Sequence, residues 1–341
     1  MKELYYKVAD HVFALETGSD ENIVFSLRQY EPFGTDPTED TVFRLKMSDT
    51  PIDTDGFSME MQQDDEGQAI QAGHIGERPC FLFFHREQLK AVLVCSTDYR
   101  RGEVFAKDNN LFGINNALMV LYALTTAGRH TALFHSSVVS HEGKAYMFLG
   151  PSGTGKSTHS RLWLEHIEGT ELMNDDNPVV RIFDDGSIRV FGSPWSGKTP
   201  CYRNVSYPLG AIVMLDQAPR NVIRRMKPLE AYAALMISIS GKRWDKRLAE
   251  GLHETESLLV ANASMWHLDC LPDEEAARVC YKSLSPDPSS PLLPPPDGGG
   301  LLPSSGEEGQ GVVGKEEEAP SCLPPKGEVY SPPSRRRGWG W

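Results

Sequence analysis

The segment Gly150-Pro-Ser-Gly-Thr-Gly-Lys-Ser157 leaves a chain few ways to fold. It matches G-x-x-x-x-G-K-[ST], a loop whose glycines let the backbone curl until its N–H groups point inward at polyphosphate oxygens. The motif has this meaning only where a strand feeds the loop and a helix follows it. Both flanks are legible. Residues 144–149, Lys-Ala-Tyr-Met-Phe-Leu, form a largely apolar run of strand length. After the loop, Leu162, Trp163, His166 and Ile167 recur at helical spacing up to a stop at Gly169. The motif assigns Gly150, Ser152, Gly153, Thr154, Gly155 and Thr158 to the nucleotide phosphates. It adds Lys156 as a point charge on the β- and γ-phosphates and the Ser157 hydroxyl as a Mg²⁺ ligand.

At 341 residues the chain has room for two or three domains. A net charge of −13 argues against a nucleic-acid backbone as partner. It leaves a nucleotide site open, because a phosphate loop makes its own local positive field. Cys80, Cys95, Cys201, Cys270, Cys280 and Cys322 contain no C-x-x-C pair and so read as reduced thiols. The first residues lack the apolar centre of a signal peptide, and no apolar run reaches membrane-spanning length. The expectation is a cytoplasmic protein with no membrane partner.

Residues 1–108 read as a β-rich accessory domain without a catalytic constellation. Strands are expected at 5–15, 23–27, 42–47, 81–84 and 91–95, with turns at Asp36-Pro37, Asp55-Gly56 and Glu66-Gly67. A helix over about 109–130 joins it to a catalytic domain over 131–283. There, 131–140 reads as one alternating strand, paired through the turn 141–144 with the strand that feeds the loop. A second hairpin is expected over 178–191, a buried strand over 210–215, and helices over 229–240, 245–261 and from Pro272. From 284 to 341 the composition turns Pro-rich with no apolar face to bury, predicting a disordered tail. An interaction role and an accident of the reading frame compete there, and the second is favoured.

A phosphate loop needs a carboxylate to hold Mg²⁺, and a hydroxyl acceptor needs a base. Asn174-Asp175-Asp176-Asn177, just beyond the loop helix, offers adjacent carboxylates. One can bind the cation while the other, raised in pKa by its neighbour, accepts a proton. The same four residues are also strong turn chemistry. Asp216, closing the apolar run 210–215, is a rival site for the metal. His159, in the first turn after Ser157, could approach phosphate but reads better as a surface position.

The phosphate loop, followed by Asp175-Asp176-Asn177 and preceded by Leu133-Phe134-His135-Ser136-Ser137-Val138, resembles the HPr kinase/phosphorylase family, related in fold to phosphoenolpyruvate carboxykinases. The resemblance covers roughly residues 130–282. It implies an α/β (α+β) phosphate-loop kinase domain in which Lys156 contacts the transferring phosphate. It further implies Asp176 as proton acceptor, Asp175 beside it supporting the metal, and His135 orienting the phosphate or Asp176. The family's Arg-Gly signature has no counterpart here. In its place stands a Gly/Pro-rich loop over 191–204, whose Lys198 and Arg203 are candidates for γ-phosphate or acceptor contacts. The resemblance therefore points to a relative of the kinase rather than to HPr kinase itself.

These readings converge on a Mg²⁺-dependent, ATP-using kinase acting on a hydroxyl, a serine of a peptide or small protein or a small metabolite. The alternative is a nucleotide-binding sensor with little or no transfer. Homo-oligomerisation is left open.

Overall fold

The computed structural model describes residues 2–19, 23–65, 67–197 and 199–285. The 286–341 segment, Cys322, Lys198 and Glu66 of the expected Glu66-Gly67 turn lie outside the described residues. The described part is a mixed α/β structure built on two sheets.

The first sheet comprises β1 (Glu3–Val8), β2 (His11–Glu16), β3 (Arg44–Met47), β4 (Phe57–Asp65), β5 (Gln68–Ile75), β6 (Arg78–His85), β7 (Gln88–Cys95) and β8 (Arg101–Ala106). Its order is β1-β2-β3-β8-β7-β6-β5-β4, and β4 to β8 run as an antiparallel meander. The single strand expected over 5–15 is instead the β1–β2 hairpin, reversed by Ala9 and Asp10 with φ of 47° and 62°. Two consecutive positive φ values match the right-handed twist of a tight hairpin, but no Asn-Gly or Asp-Gly marks the site. Residues 23–27 are not a strand either: Ile23–Ser26 is one helical turn, α1, with Ile23 and Leu27 buried. The meander's outer strand β4 carries Glu60, Gln62, Gln63 and Asp64, a polar sequence suited to an edge.

The helix α2 (Leu111–Thr126) is capped by the Asn110 side chain, which accepts from the Gly113 N–H at 3.3 Å. It is more than a connector. Ile114, Leu118, Leu121 and Tyr122 are fully buried and share one core with Phe13, Phe43, Phe81 and Leu93 of the first sheet. Leu133, Val179 and Trp195 enter the same core from the second half of the chain.

The second half contains β9 (Thr131–Leu133), β10 (Ser136–His141), β11 (Lys144–Leu149), α3 (Lys156–His166), β12 (Glu171–Asp176), β13 (Val179–Ile182), β14 (Ile188–Phe191), β15 (Ser206–Gln217), β16 (Val222–Arg225), α4 (Pro228–Ser238), α5 (Lys246–Asn262), β17 (Met265–Cys270) and α6 (Glu274–Leu284). The strand order is β12-β10-β11-β15-β14-β13-β9, with β17 bridging β15 and β16. β11, β15 and β17 run parallel. Along β11 the side chains alternate between two covered faces. Tyr146 and Phe148 pack on Trp163 of α3 at 5.1 and 5.5 Å between ring centres. Met147 and Leu149 join Leu235 of α4 and Leu252 of α5 on the other face. Burial on both faces explains why this strand reads as an unbroken apolar run.

The expected continuous strand over 131–140 is broken. β9 pairs with β13, β10 pairs with β11 and β12, and the interruption falls at Phe134-His135. The break is pinned by the end of α4: the His135 N–H donates to the Ser238 carbonyl at 2.7 Å. The five described cysteines are buried and form no disulfide with one another. Among the described residues no helix is long and apolar enough to cross a membrane.

Candidate active site

β11 delivers the chain into the loop and α3 leaves it, the strand–loop–helix order that the motif requires. Gly150 takes φ of 151°, and a Cβ there would sit 2.5 Å from Thr154 Oγ1, so the opening turn admits no side chain. Thr154 closes the turn by donating from Oγ1 to the Pro151 carbonyl at 2.8 Å. Helix α3 starts at Lys156 and presents its unpaired N–H groups and positive dipole end to the loop.

The Lys156 ammonium donates to the Gly150 carbonyl at 2.9 Å and lies 2.9 Å from His135 Nε2. An ammonium has only protons to give, so Nε2 accepts and the imidazole proton sits on Nδ1. Nδ1 lies 2.8 Å from Asp176 Oδ1 and donates to it. Asn177 Nδ2 donates to Oδ2 of the same carboxylate at 2.8 Å. Lys156, His135 and Asp176 thus form a chain whose carboxylate is held at both oxygens.

Asp175 points the other way, to the helix. Its Oδ1 accepts from Ser157 Oγ at 2.9 Å. Both are hard oxygens of the kind Mg²⁺ takes, a hydroxyl and a carboxylate side by side, and they would hold the ion. The rival carboxylate Asp216 pairs elsewhere: it lies 3.4 Å from His267 Nε2 and is 55% exposed. Asp216, His267 and Asp269 bring ligand atoms within 4.8 Å of one another at the ends of β15 and β17, apart from the Ser157–Asp175 pair.

The Asn-Asp-Asp-Asn segment is not the polar turn its composition allows. It is the end of β12, with Ser137 opposite Asp175 and Ser136 opposite Asp176. Asp176 adopts φ of 144°, a conformation that side-chain-bearing residues rarely take. The loop that follows β14 holds it there. The Gly197 N–H donates to the Asp175 carbonyl at 2.7 Å, and Ser196 bridges to Asp176. A Cβ on Gly197 would lie 3.1 Å from Asp176 Cβ, so the loop crosses the carboxylates with almost no clearance.

That loop is anchored outside the second sheet. Trp195, 1% exposed, donates from Nε1 to the Tyr30 hydroxyl at 2.9 Å. Tyr30 in turn donates to Asn115 on α2 at 2.7 Å. No local pattern signals this tie, since Trp195 and Tyr30 are 165 positions apart.

No family model matches the sequence, and no curated protein matches it. A solved structure, the Hpr(Ser) kinase/phosphatase from Coxiella burnetii, aligns over 45% of this chain and 92% of its own at 10% identity, with a TM-score of 0.28. At that score the likeness carries no argument, and the chemistry rests on the side chains.

Of the other residues singled out in the sequence, Arg203 is not brought to the Lys156–His135–Asp176 chain. Its guanidinium bonds Glu171 at 2.7 Å and the Leu172 carbonyl at 2.8 Å, at the opposite end of β12 from Asp176. His159 is not a surface residue: it is 2% exposed and accepts at Nε2 from Trp163 Nε1 at 3.1 Å. Desolvation lowers its pKa to about 3 and keeps the ring neutral.

Proposed function

We propose that this protein is a Mg²⁺-dependent kinase that transfers the γ-phosphoryl group of ATP to a hydroxyl. The observation that carries the reading is the convergence of three groups at the start of α3: Lys156, the Ser157–Asp175 oxygen pair, and the His135–Asp176 pair. A loop that served nucleotide binding alone would need the first two. A carboxylate held between His135 and Asn177, beside the end of a polyphosphate, is an addition that suits a proton acceptor.

In the proposed step the acceptor hydroxyl oxygen attacks the γ-phosphorus in line while the bond to the β-bridging oxygen breaks. The hydroxyl proton passes to the Asp176 carboxylate, and the electron pair of the broken bond leaves with ADP. Loop N–H groups and Lys156 bind the phosphates and offset the charge that develops on the transferring group. His135, donating from Nδ1, aims the carboxylate at the acceptor hydroxyl. Ser157 and Asp175 would hold Mg²⁺, which when bound neutralises the phosphate oxygens and fixes their orientation. A serine of a peptide or small protein, or the hydroxyl of a metabolite, is the acceptor class consistent with this site.

Acceptor dependence is the test. Purified protein with MgATP should release ADP slowly alone and faster with a fraction containing the acceptor, with one phosphoproduct formed per ADP. ADP release that no acceptor fraction stimulates would replace the kinase by a slow nucleotide sensor.

A further inference from the structure

A cavity of about 410 Å³ opens beside the loop, and neither Asp175 nor Asp176 lines it. Thr154, Gly155 and Thr158 form its loop-side wall. Leu162 of α3, Ala218 and Pro219 after β15, and Leu271 after β17 supply most of the rest. The lining is mainly apolar with few polar groups, and its size is within the range of about 300–1,000 Å³ typical of small-ligand sites.

We propose that this cavity is a nucleobase pocket, that it takes a purine ring flat against Leu162 and Leu271, and that His159 donates a hydrogen bond to the ring. The assignment rests on the nucleotide reading of the loop given above. Polarity along the loop supports it. Lys156 and Ser157 face His135 and Asp175, so the γ-phosphate belongs at that end. The chain of phosphates then runs across the loop toward Thr158, and ribose and base continue into the cavity that Thr158 lines.

His159 gives the pocket chemical direction. Its Nε2 accepts from Trp163, which leaves the proton on Nδ1. Among the described residues no other hydrogen bond uses this ring. A buried imidazole N–H without a protein acceptor is suited to a purine ring nitrogen, whereas a smaller pyrimidine would leave part of the cavity unfilled. Gln217 locks the far wall to the loop by donating from Nε2 to the Gly153 carbonyl at 3.1 Å. Phosphate cradle and base pocket therefore form one rigid piece.

Calorimetric titration of the whole protein with Mg-tripolyphosphate, MgATP and MgCTP separates the base from the phosphates. Tripolyphosphate fills the loop and has no base. The expected result is ATP binding at least about tenfold tighter than tripolyphosphate and tighter than CTP, a tenfold step being about 1.4 kcal/mol. Ala218→Trp, which fills the cavity from the wall after β15 and leaves every residue of the loop in place, should erase the ATP advantage while tripolyphosphate still binds. ATP binding no tighter than tripolyphosphate, or ATP affinity unchanged in folded Ala218→Trp, would overturn the pocket. Binding of neither ligand to the wild type would overturn the reading of the loop, and the pocket with it.

Discussion

His135 Nδ1 lies 2.8 Å from Asp176 Oδ1, and this contact ties the break between β9 and β10 to the end of β12. A histidine that only filled space would not need Lys156 at its other nitrogen. The pair fixes the imidazole tautomer and the aim of the carboxylate, and in the proposed transfer His135 acts as a positioning residue for Asp176.

His135→Ala should therefore lower kcat by about 10²-fold or more, the scale of a misaligned general base. The KM for ATP should change little, because the loop N–H groups and Lys156 still hold the phosphates. His135→Asn, whose amide can still donate to Asp176, should recover part of the loss. A purely structural role would instead lower kcat and thermal stability together, with no rescue by Asn.

Asp175 and Ser157 should act as one unit toward Mg²⁺. Asp175→Asn is expected to raise the Mg²⁺ concentration needed for half-maximal ATP binding by at least the roughly tenfold that even an outer-shell change costs. Adding Ser157→Ala to Asp175→Asn should then cost less than it does in the wild type, since the two oxygens share one ion. Nucleotide titrations at varied Mg²⁺ give both numbers.

Trp195 joins the loop over the carboxylates to Tyr30, so its loss should reach both stability and catalysis. Trp195→Ala removes a fully buried indole and should cost about 3–5 kcal/mol in denaturant unfolding. Trp195→Phe keeps most of the ring but removes the donor to the Tyr30 hydroxyl, which keeps its own bond to Asn115, at about 0.5–1.5 kcal/mol. In the Phe variant kcat should fall more than ATP affinity, because Gly197 and Ser196 contact the Asp175–Asp176 segment and not the loop.

Two buried histidines set the acid limit of the fold. Desolvation, then the charges of Arg181 and Arg129, lower the His11 pKa to about 3, and desolvation lowers that of His159 to about 3. Both rings are neutral when folded and would bind a proton when unfolded below about pH 6.5. Acidification from about 6.5 toward 3 therefore removes stability, at up to about 1.4 kcal/mol per pH unit for each ring. Unfolding free energies at pH 7, 6 and 5 should show this slope. His11→Gln, keeping a partner for the Thr131 hydroxyl 2.9 Å away, should reduce it.

The strand, loop and helix around residues 150–157 were legible because they depend on local rules: an apolar strand, glycines at the turns, a helix start. The Asp175–Asp176 pair was legible as chemistry but not as structure, since Asn-Asp-Asp-Asn favours a turn until Ser136 and Ser137 pair with it from β10. His135 stood out only through the family resemblance, while the break at Phe134-His135 depends on a bond to Ser238 at the end of α4. His159 was misread because its helix face is set by Trp163 and Phe148, which its own turn does not reveal. The Trp195–Tyr30 contact was invisible, as it joins the loop after β14 to a helical turn 165 positions earlier.

Transfer from γ-labelled ATP into acceptor, run side by side with wild-type protein, Lys156→Ala and Asp176→Asn, tests the central claim most directly. The account predicts an acceptor-bound label with the wild type only, and ATP binding retained by Asp176→Asn but weakened in Lys156→Ala. Transfer by Asp176→Asn at the wild-type rate would contradict it.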